Sequence, residues 1–228
     1  MPAAPGGRSG DARARAAQTK RDRTRRALLE AADTTFATRG WARTRMEDIA
    51  ATAEVSPASA YNHFASKHTL IGHVYAPYVT ALVDQADQDR ERGRDLIDAL
   101  KDQVSALTRM TARNHGLTTA FWFALNDYAG GRPAGPPEPG DPDDPRVLAP
   151  IPATVLGLVS DGQGSGEFRS YPEAGDVAGT IANMLLIRAV NRPHEPPERT
   201  AELLLTAMFG LLKPALLLDA ERPFSGAR

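Results

Sequence analysis

Two short helices joined by a turn of about three residues are the feature that most constrains how this chain can fold. Residues 44–47 read TRME, an S/T-x-x-E pattern that starts a helix because its two side chains bind backbone N–H groups that would otherwise be unpaired. A second helix start comes at Ser56, a good N-cap, with Pro57 at the first helical position, where its missing N–H costs nothing. This second helix is expected to end near Phe64.

Such a pair of helices predicts a helix-turn-helix, whose second helix enters the major groove of DNA. The charge distribution is consistent with that role. Residues 1–67 carry 12 Lys/Arg and 7 Asp/Glu, whereas the remainder carries 15 and 21. A basic N-terminal part on an acidic body favours contact with a polyanion at one end only, although a solvated charged face would explain the same numbers.

This stretch resembles the DNA-binding domain of the TetR family of transcriptional repressors, over about residues 20–75. The motifs that carry the resemblance recur in the family's order: Gly40-Trp41 before Thr44, Val55-Ser56-Pro57, Tyr61-x-His63-Phe64, and Ser66-Lys67. A weaker match is GSGEFR at 164–169, similar to the link that the family often places before its last two helices. The chain departs from the pattern at Glu54 and Ala58, where glycine is usual or frequent, and at Ala60, usually leucine.

The resemblance implies a dimeric, ligand-responsive repressor that binds a palindromic DNA operator and is released by a small-molecule effector. Matching positions place four side chains in the groove, namely those of Pro57, Ser59, Tyr61 and Asn62, next to the N-cap Ser56. Four more would contact phosphates, namely Thr44, Arg45, His63 and Lys67, and Tyr61 could do either. Short polar side chains can bind base edges, and a lysine at a helix start can bind a phosphate.

No segment of the chain has a sequence typical of a β-strand, so the predicted fold is all-α. We expect an N-terminal three-helix helix-turn-helix domain followed by a helical ligand-binding and dimerisation domain. The predicted divisions are a disordered basic arm at 1–18, the DNA-binding domain at 19–67, the effector and dimerisation domain at 68–220, and a tail at 221–228.

The first helix is expected to start near Thr19 and to stop at Gly40, a glycine suited to the position after a helix end. Helix signals also divide the body. Ser66 is expected to cap a long helix to about Arg92, which contains Pro77 and turns Leu70, Val74, Tyr78 and Leu82 inward. Further helices are predicted at about 94–114, 117–128 and 147–160, then one opened by a second capping box at 170–173, and a last one at about 197–218.

An aromatic-rich helix is the candidate effector site. Its aromatic residues are typical of core packing, and equally of a pocket with Asn126 or Asp127 as a polar contact. The candidate ligand-binding residues are Tyr78, Trp122, Phe123, Asn126 and Tyr128, and the effector is expected to be apolar or aromatic. The last helix is apolar nearly all round, which favours a homodimer through about 172–190 and 198–218.

Several classes of function receive no support from the sequence. The chain has no Cys, its closest His residues are spaced by five, and no nucleophile–base set can be proposed, so neither metal, cofactor nor catalysis is expected. Residues 1–19 lack a secretory apolar segment and no run is long enough to span a bilayer, so we expect a cytoplasmic protein without membrane contact. The alternatives left open are a helical small-molecule binder without a DNA role, an enzyme built in a helical bundle, and a membrane-surface protein.

Overall fold

The computed structural model describes residues 7–131 and 137–213, with side chains from residue 13 onward. Every regular element in these ranges is a helix, which confirms the all-α prediction. The ten helices of the described ranges are α1 (Gly7–Arg39), α2 (Met46–Thr52), α3 (Pro57–His63), α4 (Lys67–Glu91), α5 (Leu96–Arg113), α6 (His115–Gly130), α7 (Pro145–Leu148), α8 (Ala153–Ser165), α9 (Ala174–Asn191) and α10 (Pro197–Leu212). No helix in these ranges is both long and apolar enough to cross a membrane.

The chain packs as two compact units. The first contains Met1–Thr80 and Arg113–Pro150, and the second contains Ala81–Ala112 and Ile151–Arg228. Helices α6 and α7 therefore share a unit with the three N-terminal helices, and α4 contributes residues to both units. These units are defined by packing, whereas the predicted division at residues 67 and 68 refers to function and stays a prediction.

Helix α1 is longer than its sequence signals indicate. We expected residues 1–18 to lack regular structure, but the helix begins at Gly7, and residues 13–23 are exposed along it. Alanine and arginine, which favour helices, alternate in this stretch. The predicted stop is confirmed: Gly40 has a left-handed φ of 73°, and its N–H donates to the Phe36 carbonyl over 3.0 Å. Residues 1–6 lie outside the described ranges.

The start of α2 differs from the prediction. Arg45, not Thr44, is the N-cap, because its carbonyl accepts the first helical hydrogen bond and its N–H donates to Asp48 Oδ2 over 3.1 Å. The hydroxyl of Thr44 instead donates backwards to the Gly40 carbonyl over 2.7 Å. Glu47 therefore does not complete a capping box with Thr44, because that hydroxyl already stabilises the turn before the helix.

Helix α3 begins as predicted. The Ser59 N–H donates to Ser56 Oγ over 3.2 Å, and Pro57 occupies the first turn. Ala60 and Phe64 are almost completely buried and attach this helix to the rest of its unit. Ser66 caps α4 in the same way, with the Thr69 N–H donating to its hydroxyl over 3.0 Å.

Several predictions about the body are corrected. In α4, Leu70 and Val74 are buried as predicted, but Tyr78 and Leu82 are only half-buried. The buried face shifts by one position toward Tyr75 and Val79 along the helix. The predicted helix at 147–160 is two helices, α7 and α8, separated by a segment that contains two prolines.

The last two helices also differ from the predicted signals. Glu173 is the N-cap of α9 and makes no side-chain cap, so Ser170 does not open that helix. Helix α10 ends at Leu212, before Pro214, which cannot continue a helix; residues 214–218 of the predicted helix and the tail at 221–228 lie outside the described ranges. Only one face of α10 is fully buried, through Ala201, Leu204, Met208 and Leu212.

Among the described non-glycine residues, only Glu54, in the turn between α2 and α3, has a positive φ. Glu54 has a φ of 55°, in the left-handed region that disfavours a β carbon by about 1–2 kcal/mol. The turn is held by the Val55 N–H, which donates to the Ala50 carbonyl over 2.9 Å. Position 54, where the family usually has glycine, therefore has a backbone conformation that favours glycine, although glutamate occupies it.

We expect Glu54→Gly to raise the free energy of unfolding by about 1 kcal/mol, because glycine adopts the left-handed conformation without steric cost. Denaturant unfolding of the two proteins measures this difference. Glu54→Ala is the matched control, since it removes the charge but keeps the β carbon and should bring no such gain. If alanine and glycine stabilise the protein equally, the effect comes from loss of the Glu54 charge instead.

Candidate nucleic-acid interface

The outer face of α3 is the candidate base-reading surface. Pro57, Ala58, Tyr61 and Asn62 are exposed there, at the spacing that places residues on one side of a helix. Ser59 lies beside them and is half-buried. The predicted groove-facing side chains are thus brought together, and the buried residues of α3 point the other way.

An acidic residue borders this face. Tyr61, whose side chain is 46% exposed, donates a hydrogen bond from its hydroxyl to Glu47 Oε1 over 3.3 Å. Partial burial and then the negative charge of Glu47 raise the pKa of the Tyr61 phenol, and the protonated phenol donates to Glu47. Glu47 is not among the predicted site residues, because its position in the TRME pattern predicts a carboxylate that binds a backbone N–H at the helix start.

The C-terminal end of α3 has a basic border. The guanidinium of Arg25 in α1 lies 4.4 Å from the centre of the Phe64 ring, and its Nη1 donates to the His63 carbonyl over 3.4 Å. Burial, followed by the charges of Arg21 and Arg25, lowers the pKa of His63. The neutral imidazole is therefore favoured, and the positive charge beside α3 resides on the two arginines.

Two predicted phosphate contacts differ in availability. Arg45 is exposed at the start of α2, where a guanidinium can reach an external phosphate together with helix N–H groups. Thr44 is 1% exposed and its hydroxyl already donates to the Gly40 carbonyl, so the structure offers no free hydroxyl at that position.

Lys67 is half-buried, and its ammonium group forms hydrogen bonds within its own unit. Its Nζ donates to the carbonyls of Trp41 and Thr44, each over 3.0 Å, and lies 3.8 Å from the centre of the Trp41 indole. Burial lowers the pKa of this ammonium group, while the charge of Asp127 acts in the opposite direction. Lys67 therefore fastens the turn between α1 and α2 to the first residue of α4.

Three of the predicted effector residues border grooves of the described structure. Phe123 and Asn126 border a groove of about 530 Å³ beside the turn after α1, whereas Tyr128 is buried and borders a different groove with His68. Tyr78 and Trp122 are half-buried. The side-chain amide of Asn126 donates to the carbonyl of Trp122 over 2.7 Å.

The first comparison identifies the class of the N-terminal domain. Residues 28–74 match the family model described as bacterial regulatory proteins, tetR family. This range contains the helix-turn-helix and the buried residues behind it. No curated protein matches the chain.

Solved structures match over most of the chain. They include FadR of Thermus thermophilus, a TetR-family transcriptional repressor in complex with lauroyl-CoA, which is 20% identical, with 87% of this chain and 98% of that chain covered at a TM-score of 0.63. The fatty acid degradation regulator FadR of Bacillus halodurans is 16% identical, with 81% and 93% covered at 0.61. RolR in complex with resorcinol is 16% identical, with 86% and 90% covered at 0.60.

The two comparisons confirm the resemblance to the TetR family. The chain has the TetR-type fold, with an N-terminal helix-turn-helix domain and a C-terminal helical domain. The matched family and the similar solved structures are transcription regulators.

If Lys67 fastens the turn, Lys67→Met should lower the free energy of unfolding by about 1–3 kcal/mol, because the carbonyls of Trp41 and Thr44 each lose a hydrogen bond. Thermal or denaturant unfolding of the protein without DNA measures this loss. Lys101→Met is the control, since Lys101 pairs only with exposed Asp98 on the surface and should cost under about 0.5 kcal/mol. A Lys67→Met protein as stable as wild type would leave phosphate binding as the role of this lysine.

Proposed function

We propose that the protein is a ligand-responsive transcriptional repressor that binds a palindromic operator as a homodimer and leaves it when a small apolar or aromatic effector binds. The observation that carries the proposal is the exposed row of Pro57, Tyr61 and Asn62 on a capped second helix. The exposed Arg45 and the half-buried Arg25 border this row. Side chains that can read bases and cations that can bind phosphates thus lie on one unit.

Base reading is assigned to Asn62 and Tyr61, and phosphate binding to Arg45, with Ser59 and His63 at the edges of the surface. An exposed asparagine amide can bind adenine in the major groove through two hydrogen bonds. Lys67 contributes by holding the turn that precedes α2, and Thr44 by stabilising that turn from within. This revises the phosphate roles that the resemblance implied for these two residues.

Homodimerisation is assigned to α9 and α10. Met184, Leu203 and Phe209 are only half-buried, and Ile187 is 39% exposed, although the opposite faces of these helices are fully buried. Apolar side chains left on the outer faces of two adjacent helices are typical of a surface that another copy covers. Two copies related by a two-fold axis would present two recognition helices to an inverted repeat.

Release by a small molecule is supported by the solved structures. FadR of Thermus thermophilus was solved with lauroyl-CoA and RolR with resorcinol, so this fold accommodates ligands with apolar or aromatic parts. We extend that property to this chain, with Phe123 and Asn126 as the predicted effector residues that border a groove.

Selection from random DNA should return an inverted repeat with half-sites about one helical turn or somewhat more apart. Asn62→Ala should change the preference at one base pair of each half-site by about 1–3 kcal/mol. Arg45→Ala is the matched comparison, because loss of a phosphate contact should weaken all sequences alike. Failure to recover any symmetric sequence would favour the alternative of a helical small-molecule binder without a DNA role.

Ile187→Asp should convert the dimer into folded monomers, because it places a charge on a half-exposed apolar face without disturbing the buried one. Sedimentation at micromolar concentration measures the mass, and circular dichroism checks the helix content. Leu156→Asp in α8 is the control, since Leu156 is 36% exposed outside the assigned surface and should stay dimeric. A monomeric wild-type protein would refute the assignment.

A further inference from the structure

A groove in the first unit lies between the turn after α1 and the outer face of α6. We call it the Phe123 groove; it has a volume of about 530 Å³, and its walls include Arg39, Trp41, Arg43, Thr119, Phe123 and Asn126. That volume is within the range of about 300–1,000 Å³ that small-molecule sites occupy.

One wall of the groove is aromatic. Phe123 is 50% exposed, whereas Trp41 is 6% exposed and packs on Phe36 with ring centres 5.9 Å apart. The Lys67 ammonium covers the Trp41 indole and also binds the Trp41 carbonyl. The tryptophan is therefore held firmly in place, and Phe123 offers an uncovered ring to an apolar ligand.

Thr119 also borders the groove, but its Oγ1 is fully buried, so the polar contact that a ligand can reach is the side-chain amide of Asn126. The side-chain N–H group of Asn126 donates to the Trp122 carbonyl, and the side-chain oxygen of Asn126 is left for a further contact.

The free charge of the groove is positive. Arg39 is exposed and forms no ion pair or hydrogen bond among the described residues, and Arg43 uses only its Nε, which donates to the Arg39 carbonyl over 3.1 Å. The one carboxylate of the lining, Asp127, lies 3.0 Å from His68 Nε2. Two guanidinium groups therefore retain N–H groups for an external anion, which arginine binds through paired hydrogen bonds.

From these features we infer that the Phe123 groove binds a small organic carboxylate with an aromatic or apolar body. The body packs on Phe123, and the carboxylate accepts hydrogen bonds from Arg39 and Arg43. This deepens the proposed function, because Phe123 and Asn126 are two of the predicted effector residues and the groove borders the turn that Lys67 fastens ahead of α2.

The chain contains two tryptophans, so Trp122→Phe leaves Trp41 in the groove as the single fluorescent reporter. We would titrate this protein with phenylhexanoate and with phenylhexanol, which share a body and differ in charge. Phenylhexanoate should change the Trp41 emission in a saturable way, with an affinity about tenfold or more above that of the alcohol.

Two variants with matched controls test the assignment of residues. Arg39→Gln should reduce phenylhexanoate affinity about tenfold and change that for phenylhexanol less than about twofold. Arg26→Gln, an exposed arginine on the same helix outside the groove, should change neither. Phe123→Ala should weaken both probes, whereas Tyr171→Ala, which removes a 69% exposed ring elsewhere, should weaken neither.

Equal affinity for acid and alcohol would overturn the charge assignment. Binding seen by calorimetry without a change at Trp41, or unaffected by Phe123→Ala, would overturn the location. Absence of saturable binding of both probes at millimolar concentration would overturn the site itself. Operator binding, measured separately without probes, tests the proposal that the protein is a regulator. A failure of the groove proposal is therefore distinguishable from a failure of the regulator proposal.

Discussion

The contact between Lys67 and the turn after α1 is the interaction on which the placement of the helix-turn-helix depends. One ammonium group binds the carbonyls of Trp41 and Thr44 and covers the Trp41 ring. The Thr44 carbonyl accepts from Lys67 at the end of this turn, and the Trp41 carbonyl accepts both from Lys67 and from the Thr44 N–H over 3.3 Å. Because Lys67 is also the first residue of α4, the positions of the first two helices are tied to the start of that helix.

Helix α6 extends this constraint. Gly116 lies so close to the Ala37 carbonyl of α1 that a β carbon there would overlap its oxygen. Tyr75 of α4 stacks on Phe121 with ring centres 4.3 Å apart, and its hydroxyl and that of Thr118 are 3.0 Å apart. The helix-turn-helix is therefore packed within a larger unit, and a ligand beside α6 would act on residues in direct contact with α1.

The second unit is held by different interactions. Arg90 at the end of α4 binds both oxygens of Asp161 in α8, over 2.7 and 3.0 Å, and lies close against Gly157. Phe168 is buried against Gly162, and the Arg169 N–H donates to the Leu212 carbonyl over 2.9 Å. The GSGEFR link therefore ends α8 and attaches the following residues to α10.

The sequence by itself determined the helical class, the helix-turn-helix, the caps at Ser56 and Ser66 and the stop at Gly40, because each depends on groups within a few residues of one another. The same local reasoning failed at Thr44, whose hydroxyl had a carbonyl before the helix to bind as well as an N–H within it. Only the tertiary structure decided that Lys67 turns inward and that Phe123 borders a groove with Trp41. Those contacts join residues 23 or more apart in the chain, where no spacing rule links one side chain to another.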